Sequence, residues 1–162
     1  MPTLISREAA LERLATLVPA GTCPMCHIVG SEPALISGEA GVVLLNKLPL
    51  RWGHLLVVLN RHATRFSDLS DEEHASMSAL VHESATLLER RLEPRRVFVG
   101  SFGSPNEGLA MSSPHLHWHI VPLAPEDTRP SEVFTWGRGV FEGTEEEWVA
   151  LESTLRTGMR AR

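Results

Sequence analysis

The chain is predicted to fold as an α+β domain with an antiparallel sheet, and three observations predict it. Short apolar runs of strand length lie on both sides of one long stretch with helical spacing. That stretch opens on a capping box, Ser70-Asp71-Glu72-Glu73. In such a box the serine oxygen takes an orphan backbone N–H while Glu73 reaches back. The order of strands, one long helix, then strands again is not the regular alternation that builds a parallel sheet.

Each element has its own signal. Residues 6–18 read as an amphipathic helix: Leu11, Leu14, Leu17 and Val18 share a face, Ser6 caps the start, and Pro19-Ala20-Gly21 stops it. A Cys23-Pro24-Met25-Cys26 knuckle follows. Residues 34–37 and 41–46 read as strands around the turn Ser37-Gly38-Glu39-Ala40-Gly41. The stretch from Pro49 to Gly53 separates them from a strand over 54–60. After the capping box, Met77, Leu80, Val81, Leu88 and Leu92 keep helical spacing until Pro94. Residues 96–102 and 115–122 are two more strands, joined by a loop rich in glycine, serine and proline. Thr144-Glu145-Glu146-Glu147 is a second capping box, before Trp148, Leu151 and Leu155, and predicts a C-terminal helix. Trp52, Trp136 and Trp148 are expected to be core or interface aromatics.

At 162 residues and 43% apolar, residues 1–162 suit one domain that needs no disulfide framework. A net charge of −5 argues against a general nucleic-acid binder, so no stable nucleic-acid complex is expected. Arg7, Glu8, Glu12 and Arg13 interrupt any signal-peptide core. No apolar run approaches the roughly 18 residues that span a bilayer. The expected location is therefore the cytoplasm, without a membrane partner.

The chemistry concentrates in His115-Leu116-His117-Trp118-His119. Alternation on a strand puts the three imidazoles on one face and Leu116, Trp118 and Ile120 on the other, which is free to pack on a helix. Such a row suits metal binding, the holding of phosphate oxygens, or nucleophilic attack on phosphorus. The competing reading is a row of surface histidines. Cys23 and Cys26 are too close to staple distant elements, and read as half a metal site or a redox pair. A thioredoxin-like pair would open a helix after a strand in a βαβ unit, and that context is not apparent.

Taken together, these residues resemble the histidine triad family of nucleotide hydrolases and transferases. The resemblance is carried by His115 to Pro122, Leu44-Leu45-Asn46-Lys47-Leu48-Pro49, Gly53 to Val58, Asn60-Arg61-His62 and Phe66-Ser67-Asp68-Leu69. It runs from about residue 23 to 122, leaving 123–162 as an extension without a recognised motif. Asn46 to Val58 looks most like the dinucleoside-polyphosphate-cleaving branch. The resemblance implies a histidine-triad-like fold: about five antiparallel strands, a long helix, and N- and C-terminal helices.

For individual residues, the resemblance implies that His117 attacks the α-phosphorus and carries a nucleotidyl group. It implies that His119 contacts the α-phosphate, and that His115 orients this pair or binds metal. Asn46 falls where the family holds the ribose. His54 is expected to pack near the nucleotide, a structural role being equally open. Ser112 matches a hydroxyl near the phosphates, and Asn106 is a further phosphate candidate in the loop 103–108. Met111 stands where the family has glutamine and cannot supply an amide's hydrogen bonds. The implied substrates are dinucleoside polyphosphates or nucleoside phosphoramidates, turned over by a homodimer with no organic cofactor. A non-catalytic nucleotide-binding module is the alternative, favoured by Met111.

The resemblance also pairs the cysteine knuckle with His62 and His115. The four would make a closed, structural Cys₂His₂ zinc site. Lys47, Arg51, Arg61 and Arg65 are expected to be solvated surface charge. His27, His74 and His82 have no assigned role. Phe134, Trp136 and Arg138 are candidates for shaping the pocket from the C-terminal segment.

Overall fold

The structure, a computed structural model, describes residues 1–103 and 113–157. A short strand β1 (Thr3–Ile5) leads into α1 (Arg7–Leu17), where the Ser6 side chain accepts from the Ala9 amide. A second helix, α2 (Pro24–Ser31), follows. Strands β2 (Ile36–Ser37), β3 (Gly41–Leu45) and β4 (Leu55–Leu59) come next. The long helix α3 (Asp71–Arg91) closes its capping box with both reciprocal bonds, Glu73 amide to Ser70 and Ser70 amide to Glu73. Strands β5 (Val97–Gly100) and β6 (His117–Pro122) complete the main sheet. A single turn α4 (Pro130–Val133), strand β7 (Val140–Glu142) and α5 (Glu145–Arg156) end the described chain.

The main sheet has five antiparallel strands in the order β2-β3-β4-β6-β5. Its two faces follow from period-two alternation. Val43, Leu55, Val57, Leu59 and Ile120 face α3 and α5, where Met77, Leu80, Leu88, Leu151 and Leu155 complete the larger core. Leu44, Leu56 and Val58 face the other way, against Met25, Ile28 and Val29 of α2. The register pairs Leu56 with His119 and Val58 with His117. The two histidines therefore stand on the α2 side of the sheet, backed by a fully apolar face.

Two features depart from the sequence reading. The knuckle does open a helix: Cys23 caps α2 without a side-chain bond and Pro24 starts it. No strand leads into it, however, so the redox context stays absent. In addition, β1 and β7 form a separate two-stranded ribbon, Thr3 pairing with Glu142, which ties the N-terminal segment to the C-terminal one. Among the described residues, no helix is long and apolar enough to cross a membrane.

Candidate functional site: a directed chain of histidines beside a cysteine–histidine cluster

Strand β6 starts at His117, two residues later than the alternating pattern suggests. His115 lies before it, so the expected row of three is two plus one. The His115 ring is fully buried and turned away from the other two. Its Nδ1 lies 3.6 Å from the Cys23 sulfur and 3.4 Å from that of Cys26. His62 Nδ1 lies 3.3 Å from the Cys26 sulfur. All four ligand atoms fall within 4.8 Å of one another.

A tetrahedron of zinc–sulfur and zinc–nitrogen bonds has edges of roughly 3.3–3.8 Å, so the set fits one such ion. His115 Nε2–H donates to the Leu59 carbonyl at 2.8 Å, which fixes the tautomer that leaves Nδ1 free to ligate. Burial, followed by the neighbouring Cys23, raises the Cys26 thiol above its ordinary range. A bound divalent cation would invert that balance.

His54, His117 and His119 line one cavity of about 100 Å³, together with Asn46, Ser113, Phe102 and Trp136. His117 is only 3% exposed and is one of the residues that line this cavity. A second cavity of about 100 Å³ adjoins it and shares Leu14, Pro24, Met25, Asn46, Leu48 and Leu56. Its remaining walls include Leu17, Val18, Ile28 and Leu44.

The donor direction of the three rings follows from their partners. The Leu50 amide must donate, and it points at His54 Nδ1 at 3.2 Å. Nδ1 of His54 is therefore unprotonated and its Nε2 carries the hydrogen. That Nε2–H lies 3.0 Å from His119 Nδ1, so it donates there. His119 then carries its hydrogen on Nε2 and donates to His117 Nε2 at 3.1 Å. At the far end His117 Nδ1–H donates to the His115 carbonyl at 2.6 Å. Backbone groups fix both ends, and every link has one donor and one acceptor. The lone pair on His117 Nε2 accepts the His119 Nε2–H, and both rings line the cavity.

Asn46 is oriented by the same logic. Its Oδ1 accepts the Leu48 amide at 3.0 Å, and its Nδ2 lies 3.1 Å from His54 Nδ1. One Nδ2 hydrogen is left for a ligand.

Burial lowers all three rings' proton affinity. It pushes His119 down to about 3, helped by His117, and His54 well below its usual range, helped by His119 and then His117. Burial also lowers His117, against the opposing bond to His115. The unfolded chain therefore takes up protons on His54 and His119 that the folded chain refuses. For His119 the window runs from about 6.5 down to about 3. Stability from this source is complete above the window and is lost as pH falls through it. Urea unfolding at pH 7.5 and at pH 5 should show a lower midpoint at pH 5, and a smaller drop in His119→Gln. Equal drops in the two proteins would contradict this assignment.

Other expectations resolve as follows. Ser112, Asn106 and Met111 lie outside the described residues. Arg51 is not solvated: its side chain is 13% exposed and paired with Asp127, which is 1% exposed. Arg61 pairs with Glu73 at 2.7 Å, and Lys47 sits 4.8 Å above the Trp148 ring. Trp52 and Trp148 pack on each other with centroids 4.3 Å apart. Phe134 approaches the His119 ring at 6.2 Å and Phe102 at 4.7 Å. The reading missed Phe102, Ser113, Leu14 and Met25 as cavity walls, and the Leu50 amide as the anchor of the chain.

The five-stranded sheet, the histidine-bearing strand and the cysteine–histidine knuckle define a protein of the histidine-triad class. The match to the HIT domain covers residues 32–126, and the chain belongs to the HIT family. An uncharacterized 16.1 kDa HIT-like protein of Mycoplasma pneumoniae is 33% identical over 105 residues, 62% of this chain and 70% of its own. The AP-4-A phosphorylase of Mycobacterium tuberculosis is 31% identical over 85 residues, 52% of this chain and 43% of its own. Adenosine 5'-monophosphoramidase hnt1 of Schizosaccharomyces pombe is 29% identical over 123 residues, 73% and 82% of the two chains.

Two solved structures share the fold. A hypothetical histidine triad nucleotide-binding protein of Sulfolobus tokodaii superposes with a TM-score of 0.66 at 20% identity, covering 83% of this chain and 90% of its own. A Zn-bound histidine triad family protein of Mycobacterium smegmatis gives 0.60 at 23% identity, covering 84% and 91%.

Proposed function

We propose that this protein is a nucleotide hydrolase or nucleotidyltransferase that forms a covalent nucleotidyl-histidine on His117 at the substrate's α-phosphorus. One observation carries the reading: the directed chain leaves an unprotonated Nε2 on a neutral ring at a cavity wall. An attacking nitrogen needs both properties.

A substrate would place its base in the apolar cavity, its ribose beside Asn46 and its α-phosphate against His117 and His119. His119 Nε2–H then turns from His117 to a phosphate oxygen, freeing the lone pair while stabilising the growing charge. The new bond is Nε2–P. The bond from phosphorus to the leaving group breaks, and its electron pair goes with that group. The His115 carbonyl holds the Nδ1–H of the now cationic ring. Attack by water, or by another acceptor, then breaks Nε2–P and returns the lone pair to His117. Over the cycle the acceptor's proton ends on the leaving group. No metal or organic cofactor takes part in these steps.

Adenosine dinucleotides and adenosine phosphoramidates are the substrate classes to try first, because proteins similar to this chain are named for acting on them. The Cys23, Cys26, His62 and His115 set would hold zinc as a structural ion, since four protein ligands leave no open position. The active form in this reading is a homodimer.

Rapid quenching with an adenosine dinucleotide, followed by mass mapping, tests the central claim. The expected result is an adenylyl adduct on the peptide carrying His117, together with mononucleotide product. Met111 favours a second reading, a binding module without turnover. Tight binding with neither adduct nor product would establish that one instead.

A further inference from the structure

The histidine chain works in one direction only, and its direction is set outside the histidines. Suppose both donors on His54 Nδ1, the Leu50 amide and Asn46 Nδ2–H, were displaced. Nδ1 of His54 could then hold the hydrogen, and Nε2 would become an acceptor. His119 would have to donate from Nδ1, leaving its Nε2 without a hydrogen. It would then face the lone pair of His117 Nε2 across 3.1 Å. His117 could answer only by moving its own hydrogen to Nε2. That would bury the proton where the lone pair is needed and set bare Nδ1 against the His115 carbonyl at 2.6 Å. The position of the two donors that meet on His54 Nδ1 therefore decides whether His117 can act, and one loop sets both: it carries the Leu50 amide, and its Leu48 amide fixes Asn46.

Both donors lie in the loop between β3 and β4, and the loop is held from the C-terminal segment. Asp127 takes the Arg51 guanidinium with both carboxylate oxygens, Nε donating at 2.8 Å and Nη2 donating to the other oxygen. This two-pronged grip is the strong form of the pair. It leaves Nη1, which donates to the Leu50 carbonyl at 2.6 Å. The Ala124 amide donates to Asp127 at 3.0 Å, fixing the carboxylate from behind. The bond from Arg51, with burial opposing, holds the Asp127 carboxyl below its usual range, so it stays charged. The peptide after Leu50 is tied to Arg51, and the peptide before it to His54 and, through the Pro49 carbonyl, to the Phe141 amide at 2.9 Å. The Leu50 side chain between them is 4% exposed.

We propose that Arg51 and Asp127 are a positioning pair that holds the loop bearing the Leu50 amide and Asn46 on His54 and so sets the donor direction of the His54–His119–His117 chain. Neither side chain is hydrogen-bonded to a cavity histidine, although the Arg51 backbone carbonyl accepts the His54 amide at 3.0 Å. Asp127 lies one residue beyond the part of the chain that matches the HIT domain. The claim about ring direction concerns the resting protein; only its effect on turnover rests on the function proposed above.

The test is ¹⁵N NMR of the imidazoles in the zinc-loaded, full-length protein, beside kinetics on an adenosine dinucleotide. The wild type should show His54 and His119 as single Nε2–H tautomers. Asp127→Asn keeps the shape but loses the charge, and should move both rings to mixed tautomers. Its kcat should fall roughly 10- to 100-fold, the range a small misplacement of reacting groups costs, with KM little changed. Val133→Ala loosens the same segment without touching the pair and should leave both rings as in the wild type. If Asp127→Asn does not fold, Arg51→Lys decides, because one ammonium cannot grip two oxygens and the Leu50 carbonyl together. Wild-type tautomers in the folded variant, with stability lowered as in Val133→Ala, would overturn the proposal and leave the pair a plain clamp. Shifted tautomers in a protein whose wild type has no turnover would uphold the positioning and remove the enzyme reading alone.

Discussion

His117→Ala should lower turnover of an adenosine dinucleotide by on the order of 10⁴-fold or more, the scale on which losing a covalent nucleophile registers. No adduct should form. The effect is this large because no neighbour can take over. His119 spends its lone pair on the His54 Nε2–H, and its other nitrogen carries a hydrogen in the resting chain. His115 is turned toward the cysteines. The variant should still fold. The ring it loses is small beside the apolar core on the opposite face of the sheet, and it leaves only the His115 carbonyl and the His119 Nε2–H to find water. The cost there is about 1–3 kcal/mol, read by thermal unfolding. Nucleotide affinity should change little, because the apolar cavity keeps its walls. Turnover at the wild-type rate in a folded variant would remove the mechanism.

Much of this site could be read before any coordinates, and the reasons differ from residue to residue. The α3 helix was legible because its signal is local: a capping box and apolar residues three and four apart. β4 and the apolar side of β6 were legible by alternation. The short helix α2 was not, since Cys23 gives no side-chain cap and the stop at Pro19-Ala20-Gly21 seemed to close the helical region. The β1–β7 ribbon was invisible because each strand has three residues and the outermost partners, Thr3 and Glu142, lie 139 apart in the chain. The turn of His115 away from its neighbours depends on where β6 begins, and alternation alone cannot fix that boundary. Arg51 looked like surface charge because its partner is 76 residues away. The Leu50 amide had no signature at all, since the group that matters is backbone and any residue but proline would supply it.

The second large effect concerns the cysteine–histidine cluster. Cys23→Ser should take bound zinc from about one per chain to well below it, because a neutral hydroxyl is a poor replacement for thiolate at this ion. Stability should fall with it. A ligand present at a thousand times its dissociation constant adds about 4 kcal/mol to the folded state, and in a chain of this size that is roughly 10 °C of melting temperature. The same loss should follow prolonged chelation of the wild type and be reversed by adding zinc back. Catalysis should suffer less than stability, but it should suffer. The cluster holds the His115 ring, and the carbonyl of that same residue accepts the His117 Nδ1–H. On the other side of the knuckle, Pro24 and Met25 are walls of both cavities. The ion is thus expected to stiffen the floor of the reaction site while staying outside the chemistry, and bound nucleotide should in return slow the release of zinc, since coupling between two sites is reciprocal. Freshly purified protein that contains no metal, and whose melting temperature ignores both chelator and zinc, would refute this part of the reading.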